Sequence, residues 1–277
     1  YRVHGVKGSD RAHKLVANLV KDLSTHVIIV DGDNFVNIDF YEKTLELNDD
    51  IDIDNHVISF SGLNNINGTC YGNGGIKIWP IQLLLDMKTH EESQSNNTKV
   101  DFDFTKYLQL NEYASTVVIN SSPLQAFRAG FREGIKLCME DGKIVDNIDQ
   151  INWRNYDRLW RWMHIGQDVE NGIWAIYGAR LGFYMTNLSD WDYHQVRDFD
   201  YLNYLFEENQ KKLPTEQLLL EEIKTLGDQI RIQLNMPVAD LDSTASQFFK
   251  GVWINPPRMN REPKVQKKKE TKINIPK

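Results

Sequence analysis

The sequence predicts an α/β fold with a helical C-terminal part. Three observations carry this: a helix-period run, a β-branched run and an acidic turn follow one another within residues 10–33; short strand-like runs and glycine-rich segments alternate up to residue 119; and helical periodicity dominates from Asp198 onward. With 277 residues, 41% of them hydrophobic and 26% charged, the chain can bury one large core or two small ones.

Leu15, Val16, Leu19, Val20 and Leu23 recur at helical spacing behind the cap candidates Ser9 and Asp10, which predicts an amphipathic helix over 10–23. His26–Val30 is β-branched and nearly unbroken, the pattern of a buried strand in a parallel sheet, and it stops at Asp31-Gly32-Asp33-Asn34. A second strand is expected at His56–Phe60, then the glycine-rich Gly72–Gly75 and a helix entered through Pro80. Glu91–Asn97 reads as a mobile polar loop. A strand at Thr116–Ile119 precedes a helix that starts at Ser121 or Ser122 with Pro123 and runs to about Met139. On that helix Ala126, Gly130 and Gly134 form a small-residue stripe that permits close approach of another backbone. Phe127 and Phe131 make a neighbouring apolar pair, and Arg128 and Arg132 a cationic one. Trp153, Trp160, Trp162, Trp174 and Trp191 read mostly as core or interface anchors. A long helix is expected over Glu216–Leu234 and a shorter one over Asp242–Lys250.

The longest apolar stretches, Val27–Val30 and Ile173–Tyr184 with its Arg180, fall short of a membrane span. Two cysteines, Cys70 and Cys138, without Cys-x-x-Cys or zinc spacing, exclude a disulfide scaffold and a structural zinc module and fit a reducing cytoplasm. The opening Tyr1–Val6 reads like the interior of a longer fold. Net charge is −7 but uneven: Arg258–Lys277 carries +6, leaving −13 on the rest. Such a tail either makes a weak, salt-sensitive phosphate contact or merely solvates the chain end.

Three segments carry chemistry. Asp-x-Asp occurs seven times, but only Asp31/Asp33 follows a β-branched strand, at the sheet edge where α/β folds place ligands. Two carboxylates there either hold a hard divalent cation, with phosphate oxygens and water completing its shell, or end the strand as an Asx-turn. Tyr71–Pro80 places three glycines in four positions beside Asn73, Lys77 and Trp79; it is either a ligand-approach loop or a tight hairpin, and it is not a Walker A loop. Asp168 and Glu170, between Gly166 and Gly172, supply either a general base and a hydrogen-bond acceptor or helix-start acids. His164 and His194 lie nearby without a metal-binding pattern.

Taken in order, the strand with its Asp-Gly-Asp-Asn, the Asn-Gly-Gly loop and the late acidic pair resemble the GT-A class of nucleotide-sugar glycosyltransferases. The strings Asn-Gly-Gly-Ile-Lys-Ile-Trp-Pro, Phe-Arg-Ala-Gly-Phe-Arg-Glu-Gly and Asp-Val-Glu-Asn-Gly-Ile-Trp-Ala-Ile-Tyr-Gly-Ala-Arg-Leu-Gly resemble glycosyltransferases attributed to large tailed bacteriophages, over roughly residues 3–205. The resemblance implies a GT-A-like mixed sheet flanked by helices over 1–205, a helical extension over 206–257 and a basic flexible tail over 258–277.

It further implies Mn²⁺ or Mg²⁺ at Asp31 and Asp33, with His194 a loose match for a third ligand, and a UDP-sugar donor held by Asp31, Asp33, Asn34, Lys7 and Arg11. Asp168 or Glu170 would act on the acceptor hydroxyl. Asn73, Gly74, Gly75, Lys77, Trp79, Arg128 and Arg132 would contact the acceptor or a phosphate. Some such phage enzymes add sugars, arabinose included, to hydroxymethylcytosine in phage DNA, so the acceptor is modified DNA or a glycan, inside an infected bacterial cytoplasm. Two features depart from the class: only 30 residues precede Asp31, and His194 fits the class's C-terminal histidine ligand only loosely. The short front and the helical final third favour the competing reading, a noncatalytic binding or assembly protein on a GT-A frame. A two-metal nuclease or phosphatase would need more clustered acids.

Overall fold

The computed structural model describes residues 1–42, 44–48, 51–71, 75–87, 107–140, 143–254 and 270–274, with side chains not described at 48, 71, 253, 254 and 270–274. In chain order the elements are α1 (Ser9–Val20), β1 (His26–Val30), β2 (Asn34–Val36), β3 (Thr44–Asn48), β4 (Val57–Asn64), β5 (Cys70–Tyr71), β6 (Ile76–Pro80), α2 (Ile81–Asp86), β7 (Tyr107–Val117), α3 (Pro123–Lys136), β8 (Met139–Glu140), β9 (Lys143–Ile144), α4 (Trp153–His164), α5 (Gly172–Leu188), α6 (Phe199–Lys212), α7 (Glu216–Leu234), α8 (Ser243–Ile254) and β10 (Glu270–Asn274). The chain is mixed α/β, as the sequence predicts. The expected polar loop at Glu91–Asn97 lies outside the described residues.

The main sheet has the order β1-β6-β4-β7-β2, with β5 beside β4. It is mixed: β4 and β7 run parallel, and the other pairs are antiparallel. β1 is therefore an antiparallel edge strand, which corrects the expectation of a buried parallel one. Its unbroken apolar run has a different cause. Val27 and Ile29 pack toward the cluster of Ala17, Val20, Trp79 and Leu84 under α1 and α2, while Ile28 packs on the opposite face with Phe40, Phe60 and Ile78. Both faces are covered, so both parities must be apolar whatever the strand direction. β7 begins nine residues before the expected strand, because Gln109, Asn111 and Glu112 mask its alternation.

The larger core lies among α3–α7. Its centre is the α3–α5 crossing, where a Cβ on Gly130 or Gly134 would strike the Ala175 or Ala179 carbonyl, and one on Gly178 or Gly182 would strike the Phe127 or Phe131 carbonyl. The small-residue stripe read on α3 thus has a matching stripe on α5, and the two helices run parallel. Arg180, on the far side of α5, is buried. Its Nε donates to the Met163 carbonyl at 2.9 Å, Nη1 to the Ile223 carbonyl and Asp240 at 2.7 Å each, and Nη2 to the Ala239 carbonyl at 2.7 Å. Gly227 is glycine because a Cβ would meet Arg180 Nη1 at 2.5 Å.

At the chain end, β10 pairs antiparallel with β3, so residues 270–274 of the expected flexible tail are instead a strand. The rest of that tail lies outside the described residues. Among the described residues no helix is long and apolar enough to cross a membrane.

Gly130→Ala should destabilise the protein. The gain in helix propensity is about 1 kcal/mol, but the collision with Ala175 costs about 1–3 kcal/mol or more, and urea denaturation should show the net loss. A second expectation concerns His164, whose buried Nδ1 faces the Trp160 carbonyl while Nε2 accepts from the Ala239 N–H at 2.9 Å. Burial pushes its pKa from 6.5 down to about 4. The unfolded chain therefore takes a proton near pH 6.5 that the folded chain refuses until near pH 4. The neutral ring's contribution is complete above the upper value and is lost as pH falls through that window, on the order of 3 kcal/mol. Denaturation midpoints should fall less steeply across it in His164→Gln than in wild type.

Candidate functional site

The Asp-Gly-Asp turn and the glycine-rich loop form one corner. The Asp31 N–H donates to the Gly75 carbonyl at 2.9 Å, extending the β1–β6 pairing by one step, and the Asn34 N–H closes the turn on the Asp31 carbonyl at 3.1 Å. The chain then leaves one edge of the sheet and joins the other as β2. Asn34 pins this crossing: its Oδ1 accepts from the Gly75 N–H at 3.2 Å, just before β6, and from the Ser115 hydroxyl at 2.6 Å, on β7, the two strands that flank β4. A Cβ on Gly75 would collide with Asp31 and Asn34, so glycine is required there by close approach.

The two carboxylates of the turn oppose each other. Burial first, then the Asp31 charge, raises the Asp33 pKa, against the Asn34 amide, which donates to Asp33 Oδ1 at 2.8 Å, and against the Lys77 ammonium. A half-buried carboxylate beside a like charge is short of positive charge, and two such oxygens suit a hard divalent cation whose remaining positions go to phosphate oxygens and water. Among the described residues no group of three or more His, Cys, Asp or Glu side chains is arranged to hold a metal.

The Asp168–Glu170 segment folds back on itself. Gly166 has φ +149°, and a Cβ on Gly172 would strike the Gly166 carbonyl. Asp168 Oδ2 pairs with Lys250 of α8 at 2.6 Å, both side chains only 12% exposed, so Asp168 is held as half of an ion pair and is not a free base. Glu170 is exposed and borders a cleft of ≈ 440 Å³ with Trp174, Gln210 and Thr215. Its carbonyl accepts from Asn120 Nδ2 at 2.7 Å, while Asn171 Nδ2 donates to the Asn120 carbonyl at 2.9 Å. Two residues before Asn120, the Val118 N–H donates to the Asp33 carbonyl at 2.8 Å. Val118–Asn120 therefore ties the two acidic motifs to one end of the sheet.

Other expected site residues lie elsewhere. Trp79 is fully buried under α1, its ring 6.1 Å from that of His13, and is a core residue with no access to an acceptor. Lys7, Arg11, Arg128 and His194 line a second cleft, of ≈ 830 Å³, between the start of α1, α3 and the start of α6; Asp31 and Asp33 do not line it. His194 Nδ1 bonds to Asp192 Oδ1 at 2.8 Å, so it is no third ligand to the acidic turn. Arg132 lies over the Phe199 ring and donates to the Val196 carbonyl at 3.2 Å. Asn73 and Gly74 fall outside the described residues.

Sequence reasoning missed Ser115 and Asn120, both buried polar residues of the corner. The available signal was Asn120 standing between a strand and the Ser-Ser-Pro helix start. Comparison with protein-family models, curated proteins and solved structures finds no match to this chain.

Asp33→Asn should raise the melting temperature in metal-free buffer, because it removes a half-buried charge that Asp31 repels and leaves an oxygen for Asn34. The same substitution should abolish any stabilisation by Mn²⁺, and a pair of melting curves checks both.

Proposed function

We propose that this protein is a metal-dependent glycosyltransferase that moves a sugar from a nucleotide-sugar donor, a UDP-sugar, to an acceptor hydroxyl. The observation that carries this reading is the corner in which Asp31, Asp33, Asn34 and Gly75 meet, tied through Val118–Asn120 to the segment bearing Glu170. Asp31 and Asp33 would hold Mn²⁺ or Mg²⁺, which supplies Lewis-acid neutralisation of a departing diphosphate. Lys77, already coupled to Asp33, adds positive charge on the same side. Glu170 is the acid free to orient or deprotonate the acceptor, since Asp168 is engaged by Lys250. From the resemblance, the acceptor is hydroxymethylated cytosine in DNA or a glycan, and the cell compartment is the cytoplasm.

The Asp168–Lys250 pair also favours the second reading, a noncatalytic binding or assembly protein, because it leaves only Glu170 for the chemistry. Donor binding separates the two. UDP-sugars with Mn²⁺ should stabilise wild type against heat but not Asp31→Asn/Asp33→Asn. Glu170→Gln should keep donor binding and lower turnover by about 100-fold, the scale of general-base catalysis, whereas Asp168→Asn should act mainly on stability by stranding the Lys250 charge. A folded wild type that ignores every nucleotide sugar overturns the enzyme reading.

A further inference from the structure

The cleft of ≈ 830 Å³ between α1, α3 and α6 is separate from the acidic corner, and its charges are unevenly compensated. Each lining acid has a partner: Asp10 is paired with Lys14 at 2.9 Å, Asp200 with Lys7 at 2.8 Å, and Asp198 caps α6, accepting from the Asp200 and Tyr201 N–H groups at 2.9 and 3.1 Å. Among the cations, Lys7 is paired with Asp200 and His194 with Asp192, whereas Arg128 and Arg11 have no carboxylate partner among the described residues. Arg128 is half-buried, and among the described residues it makes no hydrogen bond or ion pair, only the ring contact with Phe199, 4.3 Å from the guanidinium carbon. Its five donors have no protein acceptor there, and Arg132 lies over the same ring. Burial and the Arg132 charge both weaken its hold on its proton. Arg11, in the first turn of α1, also has no protein partner among the described residues, and no side chain caps α1, whose N-cap residue is Gly8 with φ 98°.

An enclosed guanidinium without a carboxylate is expensive, and a planar fork of donors matches phosphate oxygens in pairs. The space is that of a small-molecule pocket, which favours a compact phosphate ester over a nucleic-acid strand. We propose that this cleft is a second, metal-independent site for a small phosphorylated ligand, with Arg128 as its anchor and Arg11 and Lys7 at its mouth. The proposal does not rest on the glycosyltransferase reading.

Inorganic pyrophosphate is the probe, with EDTA present. It should raise the melting temperature of wild type by about 3 °C at millimolar concentration. Arg128→Gln should abolish that response while melting in plain buffer at or above wild type, a combination a merely structural arginine would not give. Arg11→Gln, at an exposed position, should halve the response and keeps the test open if the first variant does not fold. Asp31→Asn/Asp33→Asn should respond like wild type. No response in wild type, an equal response in the arginine variants, or loss of response in the aspartate variant would overturn the proposal. So would an Arg128-dependent shift with a single-stranded oligonucleotide and none with pyrophosphate.

Discussion

The backbone contact between α3 and α5 is the constraint on which the rest of the structure depends. Four glycines, two on each helix, let carbonyls of one lie against Cα positions of the other, closer than any side chain would allow. Because the helices run parallel, their N-termini lie at the same end. The residues just before them are Asn120 to Ser122 on one side and Gly166 to Asn171 on the other, and these are the segments that hydrogen-bond to each other. The crossing thereby fixes where Glu170 stands relative to the end of β7. Since Ser115 of β7 holds Asn34, and Val118, just after β7, holds Asp33, one helix pair sets the distance between the two acidic motifs.

This gives the strings that carry the glycosyltransferase resemblance a physical content of their own. Phe-Arg-Ala-Gly-Phe-Arg-Glu-Gly is the α3 face of the crossing, and Ala-Ile-Tyr-Gly-Ala-Arg-Leu-Gly is the α5 face, with its arginine fastening α4, α7 and the 239–240 segment. Their spacing is what close helix packing demands. They build the frame, and the proposed chemistry lies with the corner at Asp31–Asn34 and with Glu170.

The sequence made the elements legible where one physical signal dominated. The cap candidate Ser122, the helical pattern from Asp198 and the long helix expected over Glu216–Leu234 match α3, α6 and α7, and the structure adds Asp198 and Thr215 as caps. Strand direction was not legible, because an apolar run reports coverage of both faces and says nothing about its neighbour's orientation, as β1 shows. Of the site, the pairing of Asp31 with Asp33 is local and visible, whereas its junction with Gly75 depends on a crossover between sheet edges. Asp168 and Glu170 look equivalent in sequence, and Lys250, eighty-two residues away, decides which of them is free. Trp79 looked like a stacking residue because a glycine-rich loop precedes it, but β6 turns it under α1.

Charge compensation separates frame from site across the whole molecule. Arg180 and Arg128 are both withdrawn from water on helices that touch, yet Arg180 has an acid and three carbonyls to itself while Arg128 has one aromatic face. Asp168 and Asp33 make the same contrast: the first sits against Lys250 at 2.6 Å, and the second, with a more distant Lys77, is pressed by Asp31. A buried charge serving only the fold is stable when its partners are built in, because an unmet one costs several kcal/mol. Folding could have met Asp33 with a neutral neighbour in place of Asp31, or Arg128 with a carboxylate in place of the Phe199 ring. Both are met only in part, in two separate places and with opposite sign, and the ligands proposed above, a cation at the acidic corner and an anion in the cleft beside α1, would supply the missing countercharge.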